Sequence, residues 1–411
     1  MASVNGQSLR EEFAALKERF GQLCTDGKIS PECRALFEGL LMLLSVLMVV
    51  FMEAYAQNLL IAQMISLKRV QQSIQTLIGQ VIAEATILKC VLQLHLAFER
   101  WERLAIERIL SAPAMHADET SIPVEKRNHW IHVCSAGDIT LKFVHEKREL
   151  EAMTAIGIIP KYGGVIVHDS WASYLSYAHC RHGLCGAHLV RELTFIVEAN
   201  GYAWATNTKR LLQQTCSRVS KRKRKRLTLR EYDSLQQHYR NILTRGEPEL
   251  PPIPAKQNGK RGRLAKSDAH DLRVPLKEHE SAALLFATDS NAPFTNNRAE
   301  RDLRMSKVKQ KVSGCFRKAE FAQAYCRISS YLQTMANQGY NPLVANHGRD
   351  AHCWAPPAQS RASPIQALGF HLGHITEMRR SRIDPAGFRS RPTKRRAITP
   401  SVTASTQPPN G

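Results

Sequence analysis

MHADETSI (115–122), HWIHVCSA (129–136) and ITLKFVHE (139–146) are three short apolar runs separated by polar turns. A helix-like KRELEAMTAIG (147–157) and a fourth strand-like run, GGVIVHDSW (163–171), follow. Alternating β-branched and aromatic residues bounded by turn formers read as strands. The order strand, strand, strand, helix, strand predicts an α/β domain with the first strand central. Asp118 then lies on that strand and Asp169 ends the strand beside it, neighbours in space although far apart in sequence.

That order is the opening of a ribonuclease-H-like domain. Upstream the texture is helical. Ser8 with Glu11 makes a capping box for a helix reaching Phe20 or Leu23, Gly27 ends it, and Ser30-Pro31 starts the next. Residues 54–110 continue in helical spacing, with Leu59, Ile61, Ala62, Ile65, Val70, Ile74 and Leu77 as the apolar face. Gly39 to Met52, GLLMLLSVLMVVFM, is apolar but shorter than the ~20 residues that span a bilayer, so it reads as a buried or self-associating helix and no membrane is expected.

Downstream, the stretch between Asp169 and Glu300 is too long for one loop and predicts an inserted helical region at about 178–285. HLVRELTFIVEAN (188–200) reads as an amphipathic helix, SKRKRKRLTLREYDSLQQHYRNIL (220–243) as a basic run entering another, and GEPELPPIPAKQNGKRGR (246–263) as a flexible connector. The expected organisation is a helical leader over 1–53, a helical DNA-binding or dimerisation region over 54–112, an α/β catalytic domain over 113–345, and a basic, disordered tail over 346–411.

The chain has 411 residues, and 57 Lys and Arg against 36 Asp and Glu give a formal charge of +21. Such an excess points to a polyanionic partner, nucleic acid before an anionic membrane surface. Ten cysteines scattered without a secretory signal speak for reduced thiols and a cytoplasmic protein. Within this basic chain, Asp118, Asp169 and Glu300 stand in three separate contexts, two at strand ends and one opening a helix. Hard oxygen ligands so disposed suit Mg²⁺, with Mn²⁺ as substitute, and phosphoryl transfer. Glu119 faces the opposite side of its strand from Asp118 and Asp302 is two positions from Glu300 on a helix, so neither joins that set.

HADET (116–120), HDSW (168–171), CGAHLVREL (185–193) and FTNNRAERDLRMSKVKQKVSGCFR (294–317), in this order and spacing, resemble the DDE transposases of the insertion sequence 66 family. The resemblance implies a ribonuclease-H-like catalytic domain, Mg²⁺ dependence, and strand cleavage and strand transfer at the ends of an insertion sequence, with Asp118, Asp169 and Glu300 as the catalytic and metal-binding triad. It also implies DNA as partner, a homo-oligomer of at least two chains, and a bacterial cytoplasm with nucleoid association when DNA is bound. The alternatives are a catalytically impaired DNA-binding relic or regulator and a related ribonuclease-H-like nuclease.

Around Glu300, one of Asn296 and Asn297 is expected to cap the helix. Asn297, Arg298, Arg301, Arg304, Lys307, Lys309 and Lys311 form the expected DNA-contacting set. HCRHGLCGAH (179–188) offers His179, Cys180, His182, Cys185 and His188, yet its spacing is only half a zinc site, so zinc is not expected and Cys185, His188 and Arg191 read as structural or DNA-positioning. Members of the resembled family commonly carry a cysteine-rich DNA-binding module after the leader. Here Glu53 runs directly into Ala54-Tyr55-Ala56, which puts end-specific recognition in doubt.

Overall fold

The computed structural model describes residues 6–78, 81–253 and 266–340. The expected tail over 346–411 and most of the connector after residue 253 lie outside them. Five helices come first: α1 (Gly6–Thr25), α2 (Pro31–Gln57), α3 (Leu67–Ile78), α4 (Glu84–Ala97) and α5 (Glu99–Leu110). The punctuation read from sequence operates here. Gly27 takes φ 68°, and Ser30 Oγ accepts the Cys33 amide at 3.2 Å with Pro31 opening α2. Val70 and Ile74 are buried as expected, but Leu77 is exposed. Leu40, Met42 and Leu43 on α2 are exposed too, so that part of the apolar run is not covered by the described residues. No helix among the described residues is long and apolar enough to cross a membrane.

The three strand-like runs become β1 (Ala114–Val124), β2 (Arg127–Ala136) and β3 (Ile139–His145), followed by α6 (Leu150–Ile156), β4 (Val165–His168) and a single-turn α7 (Ala172–Leu175). A fifth strand, β5 (Arg181–Leu184), was not foreseen. Its four residues sit in the histidine- and cysteine-rich segment, where no hydrophobic alternation marks a strand. The sheet order is β3-β2-β1-β4-β5. β1, β2 and β3 pair antiparallel, whereas β1, β4 and β5 are parallel. β1 is central, as the order of elements required.

Two-residue turns set the hairpin registers. Glu125 and Lys126, with φ 52° and 64°, join the last β1–β2 pair, Val124 and Arg127. A left-handed pair matches strand twist but is unfavourable without glycine. Here the turn is held from outside: the Glu125 amide donates to the Phe316 carbonyl at 2.8 Å, and its carboxylate accepts the Ala319 amide at 3.0 Å.

The remaining helices are α8 (Gly186–Asn200), α9 (Ala203–Ser220), α10 (Leu229–Arg245), α11 (Asp268–Glu278), α12 (Glu280–Leu284), α13 (Asn297–Ser313) and α14 (Ala319–Asn337). α8 to α12 build their own apolar core around Trp204, Leu212, Tyr239 and Leu276. The sheet shares the other core with α3, α4, α5, α13 and α14. At the start of α10, Thr228 and Glu231 form a reciprocal capping box, which Arg218 and Arg222 extend by pairing with Glu231. The basic run is therefore partly neutralised.

α13 is fixed across the sheet by a buried carboxylate. Asp302 accepts from Ser135 Oγ at 2.6 Å, Thr140 Oγ1 at 2.8 Å, Gln333 Nε2 at 2.9 Å and Arg298 Nε at 2.9 Å, tying α13 to β2, β3 and α14. Beside it, Lys142 is buried on β3 and donates to Ser329 Oγ and Gln333 Oε1. Burial lowers its pKa to about 8. Asp302→Ala would strand Arg298 and three neutral donors. A loss of about 3 kcal/mol or more is expected in urea unfolding, and a smaller loss for Asp302→Asn, which keeps an acceptor.

Candidate functional site

The site forms where β4 stops. β1 runs on past its parallel neighbour, because pairing covers only Ala114 to His116 on β1 and Val165 to Val167 on β4. β4 in turn pairs His168 with Leu184 at the end of β5. Extending both registers by one or two residues puts Asp118, Asp169 and Cys185 on one line across three strands. Asp118 therefore lies within the long β1, not at its end as the sequence suggested. It is β4 that ends, leaving the β1 edge open beside Asp118.

Local geometry holds the two aspartates. Asp118 Oδ1 accepts the Glu119 amide at 2.8 Å, and Asp169 Oδ1 accepts the Trp171 amide at 3.2 Å, an Asx-type turn leading into α7. Burial, foremost, and the negative charges of Glu119 and Asp169 push the Asp118 carboxyl from its ordinary 3.8 up to about 7. Lys307, one α13 face away, works against that rise. Glu119 points to the other face, where Arg148 and Tyr174 bond it at 2.8 Å and 2.6 Å. Arg148 in turn lies 4.2 Å over the Trp171 ring. His168 is buried against Tyr174, and burial holds its pKa down near 3.

Asn296, four residues before Glu300, ties the start of α13 to β1, but among the described residues Glu300 is grouped with Cys185 and His188 and not with the two aspartates. The Asn296 side chain is buried. Its Nδ2 donates to the Ala117 carbonyl at 2.8 Å and its Oδ1 faces His116 Nδ1 at 3.0 Å, while the Asn296 backbone N–H donates to Cys185 Sγ at 3.1 Å. One residue thus clamps β1, the start of α8 and the start of α13. Its side chain makes no cap, contrary to the expectation for the asparagine pair. Nearby, the Gly186 amide donates to the Phe294 carbonyl at 2.7 Å, and a Cβ on Gly186 would overlap the Phe294 ring. Glycine is required there for α8 to approach the segment before α13.

The first turn of α13 then sets Glu300 Oε1 3.6 Å from His188 Nδ1 on α8. Cys185, His188 and Glu300 each offer one ligand atom, all within 4.8 Å of one another. The Cys185 sulfur close by, foremost, and the Glu300 charge raise the His188 pKa. Cys185 and His188 are thus grouped with a residue distant in sequence. Their own segment spends its other candidates elsewhere: Cys180 on the Tyr162 carbonyl, His182 on the Tyr177 carbonyl and His179 on the Ile159 carbonyl. Arg191 and Glu192 are both exposed on α8, and the Asp169 charge acts to raise the Glu192 pKa. His116 and Glu192 lie inside the HADET and CGAHLVREL motifs but were not singled out as site residues, and Arg148 lies outside every motif.

Along α13, Asn297, Arg301, Arg304, Lys307 and Lys311 are exposed. Arg298 is drawn inward to Asp302 and Thr140, and Lys309 lies 5.7 Å over the Phe316 ring with its pKa lowered by burial. The exposed cations form a basic face beside the acidic corner.

The raised Asp118 pKa fixes a sign. A carboxyl protonated more readily in the folded than in the unfolded chain stabilises below the unfolded pKa, and that contribution disappears as pH rises through the folded one. In metal-free protein the melting temperature of Asp118→Asn relative to the intact chain should rise between about pH 4 and pH 7, measured by melting scans. Gly186→Ala should lower the melting temperature and separate Glu300 from His188, visible as a fall in the His188 pKa by NMR.

Residues 50–324 match the family model described as Transposase IS66 family. No curated protein matches the chain.

Proposed function

The chain belongs to the IS66 transposase family, and we propose that it cleaves and joins DNA strands at the ends of an insertion sequence, using Asp118, Asp169 and Glu300 as a DDE triad in a ribonuclease-H-like domain. The observation that carries this reading is the register alignment of Asp118 with Asp169 across β1 and β4. The β3-β2-β1-β4-β5 order, with an antiparallel meander beside parallel strands, supports the ribonuclease-H-like assignment. The domain limits read from sequence, including the helical insertion at about 178–285, belong to the same proposal.

The residues fit a divalent cation. Asp118 carries a carboxyl that burial and like charges disfavour in ionised form, and Glu300 Oε1 is buried without a hydrogen-bond partner. Mg²⁺, or Mn²⁺ in its place, would be held by Asp118, Asp169 and Glu300, and would supply Lewis-acid activation of the attacking water or 3′-hydroxyl and stabilisation of the leaving oxygen. The chain's own part is to hold these oxygens in a partly dry corner, keep Asp118 ready to lose its proton near neutral pH, and bind the strand. Arg301, Arg304, Lys307 and Lys311 are placed to take backbone phosphates, which position DNA without reading its sequence. Asn297 joins them as a neutral donor. DNA is the partner, the exposed apolar residues of α2 offer a contact between copies, and action is at the bacterial nucleoid.

The test is nicking and strand transfer of labelled element-end DNA with Mg²⁺ or Mn²⁺. Metal-dependent joining is expected from the intact chain and none from Asp118→Asn. Hydrolysis without joining would indicate a nuclease instead, and DNA binding with no reaction a relic or regulator. In binding isotherms at several salt concentrations, Arg301→Ala and Arg304→Ala should each reduce the log–log salt slope by about one, whereas Lys309→Ala should leave it unchanged.

A further inference from the structure

Three ligand types of different hardness meet at the corner of α8 and α13. Cys185 lies between β5 and α8 as the residue that caps the helix, His188 follows in the first turn of α8, and Glu300 arrives from α13. His188 Nδ1 and Glu300 Oε1 are buried atoms 3.6 Å apart, at ion-pair and not hydrogen-bond distance, with the Cys185 sulfur also against the His188 ring. An ion pair at 3.6 Å leaves the hydrogen-bonding capacity of both atoms unused, and with the Cys185 sulfur within 4.8 Å the three groups offer their ligand atoms to one cation.

The separation identifies it. Zinc bonds of about 2.0–2.1 Å to nitrogen and about 2.3 Å to sulfur in a tetrahedron place ligand atoms roughly 3.3–3.7 Å apart. The histidine–glutamate pair is already at that spacing, and the sulfur lies within 4.8 Å of both. A thiolate and an imidazole select a borderline-soft ion and are poor ligands for Mg²⁺. The supporting contacts suit this use. Cys185 Sγ receives the Asn296 amide, a hydrogen bond of the kind that orients a metal-bound thiolate.

We propose that Cys185, His188 and Glu300 form a zinc-class site with an open fourth position, separate in chemistry from the carboxylate site at Asp118 and Asp169. Because Glu300 belongs to both sets, a zinc ion held here withdraws Glu300 from the Mg²⁺ site. The binding stands on the three ligands alone. Its inhibitory consequence rests on the proposed triad. Zinc thereby restrains strand cleavage until the ion is removed, with Cys185 and His188 as the residues that make the site sensitive.

Cobalt(II) is the probe, added to the metal-free full-length chain under reducing conditions. One equivalent should give the d–d bands of a four-coordinate ion with a sulfur-to-cobalt charge-transfer band, displaced by one equivalent of zinc and not by millimolar Mg²⁺. Cys185→Ser keeps an acceptor for the Asn296 amide and should abolish the charge-transfer band. His188→Gln and Glu300→Gln should each weaken zinc binding at least roughly tenfold, with circular dichroism confirming the fold. Cys33→Ser and Cys315→Ser, at exposed thiols, should leave the spectrum unchanged. A charge-transfer band that survives Cys185→Ser, or zinc affinity unchanged in Glu300→Gln, would overturn the site. Zinc should also inhibit strand transfer in the intact chain and much less in Cys185→Ser. Equal inhibition of both would overturn the regulatory role. Since the cobalt spectrum needs no DNA, failure of the transposase reading would leave it intact, and failure of the spectrum would leave strand transfer untouched.

Discussion

Everything at the working end of this molecule hangs on the Asn296 side chain. A carboxamide can donate and accept at once. Here it does both in a buried position, bonding the Ala117 carbonyl and His116 on β1, while the backbone N–H of the same residue donates to Cys185 at the start of α8. β1 would otherwise present an unpaired backbone edge beyond the end of β4, at a cost no buried strand can bear without a partner. Asn296 satisfies one carbonyl of that edge, that of Ala117, without adding another strand. The same bonds fix the start of α13 and so bring Glu300, four residues on, against His188.

The far side of α13 is secured by a second polar device, the buried Asp302 with its partners from β2, β3 and α14. Apolar packing alone would let a helix slide along a sheet, because dispersion has little directional preference. A carboxylate that must satisfy several donors at fixed positions admits one register. Lys142 nearby makes the same demand of α14. The helix carrying Glu300 is thus pinned twice in its N-terminal half, by Asn296 before its first turn and by Asp302 in its second. Its outward face remains free to carry Arg301, Arg304, Lys307 and Lys311 into solvent.

That arrangement explains how a chain of net charge +21 can hold acidic groups together. Burial and like charge raise the Asp118 pKa, while the cations that could neutralise it are mostly directed outward or, like Arg148, spent on Glu119. The carboxylates are left wanting a cation, and the strand-binding face lies alongside. The Cys185 and His188 pair adds ligands of another hardness to the same glutamate, so one helix position is claimed by two different chemistries.

The alternation in residues 115–146 sufficed to specify three strands, their hairpin order and the central place of β1, because a period of two is local information. Helix punctuation at Gly27, Ser30 and Pro31 was equally local. Motif order marked Asp118, Asp169 and Glu300 as candidates, and it marked the basic residues of α13 as a group. β5 escaped because its four residues carry no alternation and form a strand only by pairing with β4. Leu77 escaped because periodicity names an apolar face without saying whether anything covers it. The sequence could not divide the cations of α13 into those facing solvent and the two, Arg298 and Lys309, turned inward. Nor could it foresee that Cys185 and His188 would meet Glu300, more than a hundred residues away, and not their own neighbours Cys180 and His182. Local pattern determined which elements form and which residues carry chemistry. Tertiary structure alone decided which of those residues share a site, since that depends on long-range bonds such as Asn296 to Ala117 that leave no periodic trace in the chain.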